Sequence, residues 1–242
     1  MKKVLVIILL VIIGYFLAET FINIPFGENR IGDINLEKPT AAGYYLSNTT
    51  EKSKVANVIT AIVVNYRGLD TLGEVTVLFL ATTGIASILY RRKEEEENAE
   101  TERLSLPSSN IVRSGARVLF PTIALLGIYV FIHGHLTPGG GFQGGTIVAT
   151  GFLLMLISYK GFNTNHNRMV WIESLAGLSF IFLGIWGLIS DNTFLGNIPE
   201  VGKLNSLISG GLIPLIYIAV GFKVAVELTG ILDILLKIKP KK

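Results

Sequence analysis

The chain has 242 residues, half of them hydrophobic and only 16% charged, with a mean hydropathy of +0.55; these values exclude a water-soluble domain and describe an integral membrane protein. It carries a net charge of +3 and no cysteine, which excludes disulfides, thiolate metal sites and iron–sulfur clusters held by this chain itself. The basic excess is explained by membrane topology, so nucleic-acid binding is not needed to account for it.

In chain order, the first apolar span covers residues 4–18, behind Lys2 and Lys3. It reads as an uncleaved anchor, because Phe16 is too bulky for the position three before a signal-peptide cut after Ala18. Residues 24–54, rich in Gly, Asn, Pro and Thr and without strong periodicity, are expected to form a packed external loop. A second span covers 70–90. The stretch 91–110, RRKEEEENAETERLSLPSSN, reads as a solvated cytoplasmic linker or short surface helix. Four further spans follow at 112–132, 146–159, 169–189 and 207–236. The span at 146 is short and borrows length from the glycines before it. The last is long, and Gly210, Gly211 and Pro214 predict that it is bent, tilted or partly interfacial. With both termini cytoplasmic, most basic residues, among them Lys2, Arg91, Arg92, Lys160 and Lys237, fall on the inside. The expected fold is therefore an all-α integral membrane protein of about six transmembrane helices, two plus four. Its parts are 1–90, the linker 91–110, and 111–242. The soluble fraction is too small for a catalytic domain, so the chain is not expected to be an enzyme.

Three stretches carry chemistry. The first is HGHLTPGGGFQGG, residues 133–145, in which Gly139, Gly141 and Gly144 fit the spacing of a dinucleotide-binding loop. Such a loop needs a preceding strand and an acid about 20 residues on; here an apolar helix precedes it, and the next acid is Glu173. Pro138 is expected to end the preceding helix, and Gly139, Gly140, Gly141, Gly144 and Gly145 to let the chain turn and helix backbones approach closely. His133 and His135, two apart, cannot share a helix face and form no helical metal pair. One is expected to cap the helix or contact a neighbour, the other to take part in proton transfer.

The second stretch is NYRGLDTLGEVTVLF, where Arg67, Asp70 and Glu74 fall three and four apart on one helical face, with Asp70 and Thr71 at a helix start. Glu74 is the member that enters the hydrocarbon, at a cost of roughly 2.5–3.5 kcal/mol on insertion scales. It is either paired with Arg67 or a carboxylate that takes up and releases a proton or sodium ion. The third is FKVAVEL, where Lys223 and Glu227 lie four apart in an apolar span. They form either an internal salt bridge or a coupled pair able to shuttle a proton. Glu173, beside Trp171, reads as interfacial. No metal or cofactor site is expected.

Two of these stretches also resemble known sequences. GHLTPGGGFQGG between two spans resembles the signature loop of the MnhB/MrpB family, small subunits of Mrp-type multisubunit Na+/H+ antiporters, and the similarity extends from Arg113 to GFKVAVELTGIL. NYRGLDTLGEVTVLF resembles the C-terminal region of the large antiporter subunit MrpA, which in archaeal membrane-bound respiratory complexes is a small separate subunit. The resemblance implies a subunit of an Mrp-type antiporter module in a prokaryotic cell membrane, within a ferredoxin-linked hydrogenase or sulfur-reductase complex. Its implied partners are other antiporter subunits, iron–sulfur redox subunits that carry the redox chemistry, the lipid bilayer, Na+ and H+. Glu74, Asp70, Lys223, Glu227, His133 and His135 are then expected to belong to or border a polar ion and proton pathway. The alternative is a structural scaffold subunit of a stand-alone antiporter.

Overall fold

The computed structural model describes residues 10–16, 18–19, 41–95, 108–159, 161–192, 194–196 and 202–237. The chain divides into two compact units, residues 1–44 and 45–242. In the first, residues 10–16 and 18–19 are helical and exposed; the remainder of the expected 4–18 span lies outside the described residues.

Among the described residues, five helices are long and apolar enough to cross a membrane: α1 Gly68–Glu95, α2 Asn110–Ile132, α3 Gly141–Ser158, α4 His166–Asp191 and α5 Ile213–Lys237. Their starts follow local chemistry. Ser109 caps α2 by accepting from the Val112 amide, and Asn165 caps α4 by accepting from that of Arg168, which satisfies N–H groups that a helix start leaves open. Pro214 occupies the first turn of α5, where its missing N–H costs nothing.

Three expectations need correction. The described part of 24–54 is not a loop: Ala41–Asn48 is a helix that continues as a π-helical turn, Thr49–Ser53, and stops at Lys54 with a left-handed φ of 52°. The last span does not begin at 207: residues 204–212 form turns, with Gly210 and Gly211 at φ 83° and 60°, so apolar composition runs past the start of the helix. Pro138 does not end α2 either; that helix stops at Ile132 with His133 as its cap, well before the proline restricts its neighbour.

Helix α3 lies between α2 and α5. A Cβ on Gly144 would come 2.5 Å from the Gly127 carbonyl of α2, and one on Gly145 would come 2.7 Å from the Gly221 carbonyl of α5. Both contacts are backbone on backbone, the arrangement that small residues permit where lipid removes any hydrophobic drive between helices. Ile216, Val220 and Val224 of α5 share one buried cluster with Val75 of α1, Phe180 and Leu183 of α4, and Val55, Ala61 and Val64 of the segment before α1, and Val220 and Val224 also face Gly141 and Gly145 of α3. Helix α5 is thus the element around which the others assemble, and its side chains define the interior.

Candidate functional site

The start of α5 meets the loop between α2 and α3. Asn57, the cap of a helical turn at Val58–Thr60, donates through Nδ2 to the carbonyls of Gly134 and Thr137, both at 3.0 Å, and its amide donates to the His135 carbonyl at 3.2 Å. Thr60 Oγ1 donates to the same Gly134 carbonyl at 2.7 Å and accepts from the Tyr217 hydroxyl of α5 at 3.0 Å. The loop is therefore fastened to the segment before α1 and, through Thr60, to α5. Neither Asn57 nor Thr60 stands out in the sequence; the available signal is an Asn before a short apolar run, which marks a helix start.

The two loop histidines differ. His133 stacks on Tyr129, with ring centroids 4.1 Å apart, and its Nδ1 lies 3.1 Å from the Tyr129 carbonyl. His135 is fully buried, and neither ring nitrogen makes a hydrogen bond of good geometry, although backbone groups of Ser206, Leu207 and Ile132 lie near the ring. Burial holds its pKa below the ordinary 6.5, and the nearby His133 adds to the depression against those backbone groups. Ser209 is also buried here without a hydrogen-bond partner for its hydroxyl. Pro138 lies at the less buried side of the loop, while Gly134, Gly140 and Gly141 lie against Tyr217.

At the start of α1, Arg67, the residue before the helix, pairs with Asp70 at 2.5 Å and both are exposed, which leaves Glu74 without that partner. Glu74 is exposed on its helix and interacts electrostatically with the Tyr217 hydroxyl.

Deeper along α5 the ammonium of Lys223 lies 2.6 Å from Glu227 Oε1 and 3.5 Å from Glu173 Oε1 of α4. It also sits 5.1 Å from the Phe79 ring centroid of α1, a favourable place for a cation. The Glu227 side chain is 1% exposed and that of Glu173 is 26% exposed. Glu227 Oε2 is buried without a hydrogen-bond partner. The sequence brings Lys223 and Glu227 together through their spacing, but Glu173 joins them only through the packing of α4 on α5. Further along the same helix, Asp233 accepts from Thr164 Oγ1 at 2.8 Å. Tyr217, Lys223, Glu227 and Asp233, all buried, thus give one helix a series of polar groups, several of them met by another element.

Comparison with known proteins gives this geometry a context. Residues 111–230 match the domain family described as related to the MnhB subunit of Na+/H+ antiporter, and residues 34–104 match MbhE, a family of MBH subunits. A chain in the solved structure of the membrane-bound sulfane sulfur reductase, an archaeal respiratory membrane complex, is 42% identical, with a TM-score of 0.74 over 98% of this chain and 99% of that one. The Mrp complex from Dietzia shares the fold, at 22% identity and a TM-score of 0.68 over 98% of this chain and 26% of its own. A Na+/H+ antiporter subunit of Bacillus subtilis is 30% identical over 79 residues, which span 33% of this chain and 50% of that protein.

Proposed function

The chain belongs to the MnhB-related family of Na+/H+ antiporter subunits, joined to a segment of the MbhE family, and from that premise we propose that it supplies part of a proton and cation route in an antiporter module of a respiratory complex. Its partners in this reading are other Mrp-type subunits, with iron–sulfur redox subunits of a hydrogenase or sulfur reductase further away. The membrane is that of a prokaryotic cell, and both termini face the cytoplasm. Transport is the role assigned to this chain, and redox catalysis is assigned to the partners.

The observation that carries the reading is the polar series on α5. An ionisable group inside hydrocarbon is costly and marks a functional position by default; here Lys223 and Glu227 stand in the span with Glu173 facing them from α4. Asp70 and Glu74 lead towards Tyr217 at one end, beside the loop that holds His133 and His135, and Asp233 continues the series at the other. The test is sodium-dependent proton movement by the complete complex in sealed vesicles. Glu74→Gln and Lys223→Ala are each expected to slow it by about a hundredfold, the scale of a lost proton-transfer group. Normal assembly with unchanged flux would sink the pathway.

A second reading, a scaffold subunit that seals helices between active partners, draws on the glycine contacts of α3 with α2 and α5. The same variants separate the two, since a scaffold loses assembly before it loses flux.

A further inference from the structure

We propose that Glu173, Lys223 and Glu227 form a site that binds one exchangeable proton, with Glu227 as its buried store and Glu173 as the group through which it exchanges. The assignment deepens the transport reading and rests on it only for the use to which the proton is put. It starts from a charge count: two carboxylates share one ammonium, at 2.6 and 3.5 Å, so the fully ionised cluster carries an excess negative charge inside the membrane.

No neighbouring element cancels that excess among the described residues. Helix α1 contributes the neutral ring of Phe79, and its Glu74 interacts with Tyr217. Helix α3 has no titratable side chain along Gly141–Ser158. On α2, Arg113 and Arg117 are engaged elsewhere, by Ser108 and by the ring of Tyr159. On α4, Arg168 is exposed near the helix start. On α5, Asp233 is hydrogen-bonded to Thr164. The ion pairs of Glu173 and Glu227 are both with Lys223.

Two further observations point to a proton. Glu227 Oε2 is buried and has no hydrogen-bond partner, a poor position for an ionised oxygen and an acceptable one for a carboxylic acid. The side chains of Glu173 and Glu227 also lie close enough to interact directly, and like charges so placed do not both ionise readily. A sodium ion fits less well, because the ammonium already occupies the space between the carboxylates that a hard cation would need to collect oxygen ligands.

The exchange conserves atoms and charge. The acid proton on Glu227 passes to the Glu173 carboxylate, Glu227 becomes the carboxylate and Glu173 the acid, and the O–H bond broken is replaced by the one formed. Lys223 stays an ammonium throughout; it donates to Glu227 Oε1, an oxygen that accepts whether Glu227 is carboxylate or acid, and stays 3.5 Å from Glu173 Oε1. Glu173, the more exposed of the two, then releases the proton.

The test is infrared spectroscopy of the purified complete complex at neutral pH, in H2O and D2O, compared among the wild type and the isosteric variants Glu173→Gln and Glu227→Gln. The wild type is expected to show a deuterium-sensitive carboxylic-acid C=O band that each variant loses, because either substitution leaves one carboxylate balanced by Lys223. Lys223→Met should instead strengthen the band. Absence of a band that both glutamine variants remove would overturn the site, and the two glutamine variants decide the matter even if Lys223→Met does not assemble. A band lost in both variants while vesicle transport is unchanged would uphold the site and remove the transport reading.

Discussion

Helices α1 and α5 are both apolar, both long enough to span a membrane and both interrupted by ionisable residues, but they handle those residues in opposite ways. Over the most apolar window, 56% of α5 is buried within the chain and 11% of α1. On α5 the ammonium of Lys223 is met from within the chain, by Glu227 one turn away and by Glu173 of α4, and the proposed proton balances the second carboxylate. Glu74 of α1 is exposed beside Val77 and Leu80, and among the described residues it has no ion pair, so in a bilayer it needs a further partner or a bound proton. The difference teaches that intramembrane charge does not mark one kind of place: on α5 it belongs to the interior, and on α1 it belongs to a face that the described residues of the second unit leave open.

The sharpest way to break the comparison is Lys223→Met. It removes the ammonium that Glu173 and Glu227 share, so the charge of the pair is left uncompensated, and a loss of about 3–5 kcal/mol is expected, read as a lower thermal midpoint of the complex. The double change Lys223→Met with Glu227→Met should recover most of it. If the single change costs nothing, α5 is no better compensated than α1. Next in size is Gly144→Val, whose Cβ would lie 2.5 Å from the Gly127 carbonyl; overpacking of this kind costs about 1–3 kcal/mol. Gly84→Val on α1, where nothing lies within 4 Å, should leave the subunit's own melting unchanged, and a similar loss at both sites would refute the contrast.

The smallest effect is expected at His135. Its folded pKa is held below 6.5 by burial, so the folded protein declines a proton that the unfolded chain accepts. Its contribution is therefore fully present above pH 6.5 and is lost as pH falls from there towards the depressed value, by at most about 1.4 kcal/mol per pH unit. His135→Asn should flatten that part of the stability profile, measured as the difference in thermal midpoint between wild type and variant from about pH 7.5 to 5, the range that brackets an ordinary histidine. An unchanged profile would remove His135 as its cause.

The all-helical membrane class was legible because apolar runs of this length have few other uses. Lys223 and Glu227 were legible because a spacing of four places two side chains on one helix face. Glu173 was not, since it is 50 residues from Lys223 and close to Trp171, and position near a helix end resembles interfacial anchoring until the neighbouring helix is in place. The start of α5 was misplaced because Leu207, Ile208 and Leu212 raise the local hydropathy, whereas the backbone at Gly210 and Gly211 follows the left-handed φ that breaks a helix. The helix at Ala41–Asn48 was missed because Gly and Asn around it suggest a loop, while its own Ala, Tyr and Leu residues tolerate a helix well enough.

Glycine-rich loops beside membrane spans can build ion filters from their carbonyl oxygens, which replace the water around a passing cation. The loop here is committed differently. The Gly134 oxygen receives both Asn57 Nδ2 and Thr60 Oγ1, so its two lone pairs are already taken, and the carbonyls of His135 and Thr137 are each turned to Asn57. For a sodium ion these three oxygens are a wall that is already furnished, and a cation travelling beside them would have to find its oxygens elsewhere.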